Sequence, residues 1–445
     1  MRAMLKDVGI GLVFLAVISL FSSSSSADWR SEAQVIAEVF NYIEQDYLYP
    51  VDLTKCRFDM LKELSRRNPD PVKSGEGSKD DPVNFVCLDR HSGFSTPDET
   101  RMTSEEMSGH FGGVGLQIEP RNGKVVVVSP MEDAPAAKAG ILAGDIVVAV
   151  RQENEAKAAP VTDATDAAKR IRGPVGTKVF VTIERAGKSF EVMLVRADIA
   201  SSAVKVSTLP DGTGYIRVSG FTDTAADDLE AALKTFQKNG PNPKVILDFR
   251  NNPGGYLHSA LEMLYYFSKN PDDIMATQRF KRSEKIDRIK DWDGEFMEPG
   301  TKRVKTAGEY AHYRVAILVN GGSASASEIF AGTMKDWGFA VVGEKSFGKG
   351  VGQSVLQLSD NSSFRLTTFE FLVGNSKTKI QEIGVNPTHM VTDTRSTIDI
   401  SDEKVFAGKT DEEKLRMFQE ASRSLKDNTG TDKDAQFMKA RELLK

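Results

Sequence analysis

The sequence predicts an α/β multidomain protein: a helical N-terminal segment, a β-rich domain with helices, an α/β core and a helical C-terminal segment, in that order. Length is the first reason, because 445 residues exceed one ordinary hydrophobic core and predict about two to four domains. The second is a recurrence of buried-strand runs at Thr213–Val218, Lys244–Phe249, Val315–Val319 and Ala340–Val342, alternating with helical patterns such as Ala225–Phe236. Strand, crossover and strand in alternation build an α/β sheet whose ligand sites lie at the strands' C-terminal ends. The third is composition, 40% hydrophobic and 27% charged, which is that of a globular chain. The net charge of −5 is mild and argues against nucleic acid or an anionic membrane as partner. No internal repeat is present.

Residues 1–27 have the form of a secretory signal. Arg2 and Lys6 give a basic start, Val8–Leu20 an apolar stretch, and Ser25-Ser26-Ala27 a small-residue cleavage site. The apolar stretch is short for a membrane span, and an uncleaved N-terminal anchor is the alternative. The expected location is periplasmic or otherwise extracytoplasmic. Residues 28–105 read as the helical region, with Ala33, Ile36, Val39, Phe40 and Ile43 at helix spacing, and Met60, Leu61 and Leu64 likewise. The polar stretch Asn68–Asp81 reads as a loop, flanked by Cys56 and Cys87, the only cysteines. In a secreted chain two cysteines suggest one disulfide, against the alternative of two buried thiols. Residues 106–198 form the β-rich domain, 199–400 the α/β core, and 401–445 the C-terminal segment, which could pack on the core or on a second subunit. Phe280–Lys305 is charged and reads as a surface excursion.

The chemistry concentrates between Val315 and Gln353. A buried strand runs into the small-residue turn Asn320–Ser327, and a helical pattern follows with Glu328 in its first turn. A serine at a strand-to-helix turn is well placed as a nucleophile, because the N–H groups of the helix start face whatever lies before its hydroxyl. It still needs a base. The five histidines form neither HExxH nor a GxSxG context, so the nearest candidate is Lys349. A lysine serves only if desolvation lowers its pKa from about 10.4 toward neutrality. Two blander readings compete. Ser/Ala runs also make helix-packing surfaces. Gly343–Gly350 nearly matches the phosphate-binding GxxxxGK[ST], but Gly350 stands where that motif needs Ser or Thr.

GGSASASE followed by FGKGVGQ resembles the carboxyl-terminal processing peptidases (tail-specific proteases), which use a Ser/Lys dyad. The resemblance implies Ser325 as nucleophile, Lys349 as base and Gln353 as the residue that orients the lysine, with Glu328 and Asp336 at further acidic positions of the motif. The interval from Ser325 to Lys349 is one residue shorter than is usual in that family; either the turn at Trp337–Gly338 absorbs the difference or the lysine is aimed less well. Arg250-Asn-Asn-Pro-Gly-Gly255 matches the family's oxyanion loop, implying a donor from Gly254 or Gly255 beside the Ala326 N–H. LDRHSGF (88–94) resembles another family signature, with His91 structural. Residues 106–198 resemble a PDZ domain. Phe111-Gly112-Gly113-Val114-Gly115-Leu116 is similar to its carboxylate-binding loop, and Thr165–Ile171 would be the helix lining the groove. A nest of backbone N–H groups there would capture a terminal carboxylate while the peptide adds as a strand.

The resemblance therefore implies an extracytoplasmic serine endopeptidase with an α/β core resembling the ClpP/crotonase-like sheet, recognising substrate C-termini through its PDZ domain and needing no metal or other cofactor. The expected partners are protein substrates with apolar tails, together with an adaptor protein or a second copy of the chain. Arg172, and after it Arg170, are the candidates for sensing a bound tail. The competing reading is a PDZ-bearing binding or scaffold protein whose protease core has decayed.

Overall fold

The computed structural model describes residues 28–51, 88–394 and 428–445, apart from positions 90, 122, 132–133, 143, 186, 201, 293–294 and 299–300. The predicted signal, the polar loop, both cysteines and most of the C-terminal segment lie outside the described residues. The chain forms two compact units. One comprises Met102–Ala203 with Thr222–Thr224; the other holds everything else.

In the larger unit, helix α1 (Asp28–Asp46) presents Val35, Val39 and Ile43 one turn apart, and these bury with Tyr47 against Leu358, Phe364 and Leu366. Helix α2 (Pro97–Ser108), which begins in the larger unit and from Met102 belongs to the smaller, opens on a capping box in which Thr96 N donates to Glu99 and Glu99 N donates to Thr96 Oγ1. The segment between them is not helical throughout. Strand β1 (Gly93–Ser95) pairs with Ser363–Arg365, a distant pairing that local periodicity cannot register.

Beyond the end of α2, the smaller unit holds a main sheet, a two-stranded ladder and two short helices. Strand β2 (His110–Gly113) precedes β3 (Leu116–Arg121) and β4 (Lys124–Pro130); α3 (Pro135–Lys138) leads to β5 (Ile146–Gln152), the short β6 (Ala159–Pro160) and α4 (Ala164–Ile171). Strands β7 (Lys178–Arg185), β8 (Lys188–Val195) and β9 (Ala197–Ala200) complete it. The sheet order is β3-β4-β5-β7-β8 with β6 on β5, while β2 pairs with β9. Val179, Val181 and Ile183 alternate into a core shared with Ala167 and Ile171 of α4.

The larger unit continues with a second sheet. Strands β10 (Val204–Thr208), β11 (Gly214–Val218), β12 (Lys244–Asp248), α5 (Ala225–Phe236) and α6 (Leu257–Tyr265) come first. Then follow β13 (Ile274–Phe280), β14 (Glu284–Arg288), the hairpin β15 (Glu295–Glu298) and β16 (Thr301–Val304), β17 (Arg314–Val319), α7 (Ala326–Asp336) and β18 (Ala340–Gly343). The chain continues through β19 (Val351–Gln357), β20 (Ser363–Val373), β21 (Thr378–Lys379), β22 (His389–Met390) and α8 (Ala435–Leu443). One sheet runs β10-β11-β12-β17-β18-β22, parallel from β11 onward. The other is antiparallel, β1-β20-β13-β14, with β19 and β21 on β20. β12 and β17 read as unbroken apolar runs because both of their faces are covered. Ile246, Ala316, Leu318 and Val342 pack against Phe437, Ala440 and Leu444 from the α8 end, and the alternate residues Val245, Leu247, Ile317 and Val341 are equally buried.

Two readings are thereby revised or decided. Phe280–Lys305 is more than a surface excursion: β14 is a sheet strand, Asp287 and Ile289 are buried, and the Lys305 amine is buried against Asp227 and Glu230. The described end of the C-terminal segment packs on the core. It also supplies Asp434, whose carboxylate takes two 2.8 Å bonds from the Arg250 guanidinium, which is fully buried and also paired with Asp248. Burial works against ionisation of the Asp248 carboxyl, but Arg250, with help from Arg217 and the Tyr215 hydroxyl, overrides it and holds the group far below its usual range. Removing one partner leaves charge uncompensated in a dry site, so Asp434→Ala is expected to lower stability by about 3 kcal/mol, read as a lower urea midpoint with an unchanged slope.

Candidate active site

The serine-rich turn after β17 is docked onto the loop after β12. Ser323 Oγ donates to Phe249 O at 2.9 Å, Ser327 Oγ to Asn252 O at 2.9 Å, and Ala324 N to Asn252 O at 3.0 Å. Two of the three serines in the turn are thus structural, as the packing reading had it. Ser325 differs. It sits at φ 57° and ψ −116° immediately before α7, a backbone region that a non-glycine residue occupies only under the constraint of its surroundings. Such strain is characteristic of a nucleophile held out on a strand-to-helix turn.

Glu328 supplies that constraint. It is fully buried in the first turn of α7. Its Oε2 accepts the Ser325 N–H at 2.9 Å and the Lys349 N–H at 2.8 Å; its Oε1 accepts the Gly348 N–H at 2.7 Å and the Ser346 hydroxyl at 2.6 Å. The backbone nitrogens of Ser325 and Lys349 therefore lie within two hydrogen-bond lengths of each other through one oxygen. Gly338 adopts φ 91°, Phe339 N donates to Met334 O at 2.9 Å and Gly338 N to Lys335 O at 3.0 Å, a Schellman cap that turns the chain straight into β18.

Lys349 is half-buried. Burial is the main cause that moves its amine below the ordinary lysine range; the Arg365 guanidinium pushes the same way, and Asp89 and Glu328 oppose both. Gln353 lies on β19, where its amide nitrogen donates to Thr367 Oγ1 at 3.2 Å and to Val351 O at 3.4 Å. Among the described residues no hydrogen bond joins it to the Lys349 amine.

The glycines of the 250–255 loop divide by role. Gly254 has φ 104°, and a side chain there would come 2.8 Å from Ser325 Cβ and 2.9 Å from Ala326 N, so only glycine lets the loop reach the serine. Its N–H is committed to Asn252 Oδ1 at 2.9 Å. Gly255 has φ 145° and stands in a bridge with Phe221 that uses the flanking residues' bonds. The Gly255 and Ala326 N–H groups have no acceptor among the described residues, which leaves them as the two donors open to an oxyanion.

In the smaller unit, Gly112 O accepts the Gly173 N–H at 3.0 Å, and Gly115, at φ 70°, lies where a side chain would meet Ala134 at 2.2 Å. Val114 is buried, its carbonyl accepting Ala136 N at 2.9 Å, and Leu116 begins β3. Phe111 and Gly113 complete the loop on β2. The guanidinium of Arg172 stacks 4.5 Å from the Phe111 ring centroid, which places it beside this loop. Arg170 instead donates to the carbonyls of Val150, Ala159 and Pro160, a structural role. Sequence reasoning passed over Arg196, which is buried and clamps the end of α4 through Ile171 O at 2.8 Å and Arg170 O at 3.0 Å. It also gave Glu328 no task, although Ser325-x-x-Glu328 spells a capping box.

A strained serine and a half-buried lysine held by one carboxylate beside open backbone donors, on an α/β sheet with a PDZ-type unit, define a serine-type protease. The chain belongs to the carboxy-terminal-processing proteases of peptidase family S41. The pattern of Peptidase family S41 matches residues 212–391 and that of the PDZ domain residues 112–194. A carboxy-terminal-processing protease of Bartonella bacilliformis is 35% identical over 313 residues, 69% of this chain and 67% of that protein. A protein of Staphylococcus haemolyticus described as "Probable CtpA-like serine protease" is 32% identical over 384 residues, 85% of this chain and 68% of that one. The chain thus spans about two thirds of these relatives' length. The solved photosystem II D1 C-terminal processing protease is similar at 22% identity, covering 83% of this chain and 93% of that one with a TM-score of 0.42.

Glu328→Gln tests the shared carboxylate. In either orientation its NH2 faces two donors, so the variant is expected to lose about 2–4 kcal/mol of stability together with most peptide hydrolysis. Unchanged melting and unchanged turnover would refute the role.

Proposed function

We propose that the chain is an extracytoplasmic endopeptidase that binds substrate C-termini at its PDZ domain and cleaves through Ser325 and Lys349. The observation that supports this best is the single oxygen of Glu328 that gathers the Ser325 and Lys349 backbones. Ser325 attacks the scissile carbonyl while the neutral Lys349 amine takes its proton. The oxyanion forms between the Ala326 and Gly255 N–H groups. Lys349 returns the proton to the leaving amine, and water repeats the cycle on the acyl-enzyme. Gln353 orients the amine through its carbonyl end. The basic and apolar start of the sequence supports export, with an N-terminal anchor as the alternative arrangement. An adaptor or self-association belongs to the same proposal. The intact Ser325–Glu328–Lys349 arrangement favours an active protease over a decayed scaffold.

Hydrolysis of a peptide by the purified protein, lost in Ser325→Ala, tests the assignment; undiminished hydrolysis in that variant refutes it. Lys349→Arg should be equally inactive, because a guanidinium stays protonated. Since the base must be neutral, kcat/KM should rise with pH through the lowered pKa of Lys349 and then level. The stability consequence has the same sign. The folded state gives up this proton more readily than the unfolded chain, so stability from this site rises with pH between the lowered value and 10.5. Lys349→Met should therefore be more stable than the parent at neutral pH, with the advantage shrinking as pH rises through that window. A parent and variant that melt alike across the whole range would contradict a desolvated amine.

Tail recognition has its own test. A substrate ending in apolar residues should be cleaved faster than the same chain ending in Asp or Lys, and Arg172→Ala should shrink that difference while Ser325 still reacts with a fluorophosphonate. Equal cleavage of all tails would remove the PDZ domain from the proposal.

A further inference from the structure

We propose that Asp89 and Thr367 are positioning residues that decide which end of the Gln353 carboxamide faces the Lys349 amine. The inference rests on the Ser325, Lys349 and Gln353 reading above and adds how Gln353 is oriented. It begins with proton counting. Asp89 Oδ1 accepts from His91 N at 2.7 Å, Ser92 N at 3.1 Å and Thr367 Oγ1 at 3.2 Å. Its Oδ2 accepts from Tyr47 Oη at 3.3 Å and Ser92 Oγ at 3.4 Å. A carboxylate has no proton to offer, so the one hydroxyl proton of Thr367 is committed to Asp89. The Thr367 oxygen is left as an acceptor, and the atom it accepts from is Gln353 Nε2 at 3.2 Å. The second acceptor of that nitrogen, Val351 O at 3.4 Å, is a carbonyl and likewise cannot donate.

Both neighbours thus demand the NH2 end of Gln353. Turning the amide over would set its carbonyl oxygen against Val351 O and against a hydroxyl whose proton points away. The oxygen end is therefore the one left to receive an N–H from Lys349. That is the polarity a lysine base requires: an acceptor holding one of its hydrogens keeps the lone pair aimed elsewhere, at the serine. Thr367 itself has little freedom. It is fully buried on β20, its N–H donates to Ser92 Oγ at 3.0 Å, and its carbonyl accepts Leu48 N at 3.1 Å. A register shift between Gly352 and Gln353 places Gln353 opposite Thr367. The LDRHSGF stretch, which the sequence tied to no chemistry, thereby reaches Gln353 through the Thr367 side chain. The Asp89 charge also opposes the lowering of the lysine pKa, so its retention beside the site is consistent with an orienting duty.

A double-mutant cycle on the full chain tests this. Thr367→Val should lower kcat for a fluorogenic peptide roughly ten- to hundredfold, the effect of one misdirected buried hydrogen bond, with KM little changed. Thr367→Ser, which restores the hydroxyl, should recover most of the rate. In a Gln353→Ala background the same Thr367→Val change should add no further loss. Thr367→Ala, which adds no bulk, is run in parallel so that a folding defect in one variant does not decide the result, and thermal melts accompany each. Equal losses in both backgrounds, or parental kcat in Thr367→Val and Thr367→Ala, would overturn the relay. In either of those cases Ser325→Ala remains inactive; a Ser325→Ala protein that still hydrolyses would instead overturn the reading on which the relay rests.

Discussion

The buried carboxylate of Glu328 is the contact on which the arrangement of the site depends. Three backbone N–H groups and one hydroxyl converge on its two oxygens, and they come from both ends of the Ser325–Lys349 interval. An ionised acceptor with that many donors makes short, strong bonds, enough to hold Ser325 in a backbone region it would otherwise leave. The same bonds close the glycine loop around Lys349. The strain at Ser325 and the position of Lys349 are thus one structural fact with one cause.

A second buried charge cluster supports the loop on the other side of the serine. Arg250 begins the Asn-Asn-Pro-Gly-Gly stretch and is sealed between Asp248 at the end of β12 and Asp434 at the start of α8. Its side chain therefore joins the sheet, the 250–255 loop and the C-terminal helix. Asn252 continues the connection, taking Ala324 N and Ser327 Oγ on its carbonyl while its side-chain oxygen holds Gly254 N. The consequence for chemistry is rigidity. Open backbone donors keep a fixed aim only if their loop does not move, and here the loop is braced from both ends.

The Lys349 amine is moved below the ordinary lysine range by desolvation more than by any single partner, with Arg365 adding to it. A histidine titrates near neutrality unaided, whereas an amine is moved that far only by packing around it. Arg365 on β20, Asp89 near the N-terminus and Glu328 in the first turn of α7 each contribute a charge. Keeping an amine dry costs stability, which is the usual trade of a functional site.

How much of this was legible in the sequence follows from the range of the forces involved. Strand runs such as Val315–Val319, the periodicity of Ala225–Phe236 and the turn glycines are local, and the sequence by itself determined them. Ser325 and Lys349 were recognisable for a related reason: a small-residue turn and a glycine loop are needed wherever backbone must approach backbone closely. The strand at Gly93–Ser95, the burial of Lys305, the tie from Arg250 to Asp434 and the Asp89–Thr367–Gln353 chain were not legible. Each joins residues distant in sequence, and a charged or polar side chain looks the same in a sequence whether it is solvated or paired. The sequence determined the elements and the chemical groups of the site; only the tertiary structure decided which buried polar groups meet, because that choice is made by desolvation and hydrogen-bond partners supplied from elsewhere in the chain.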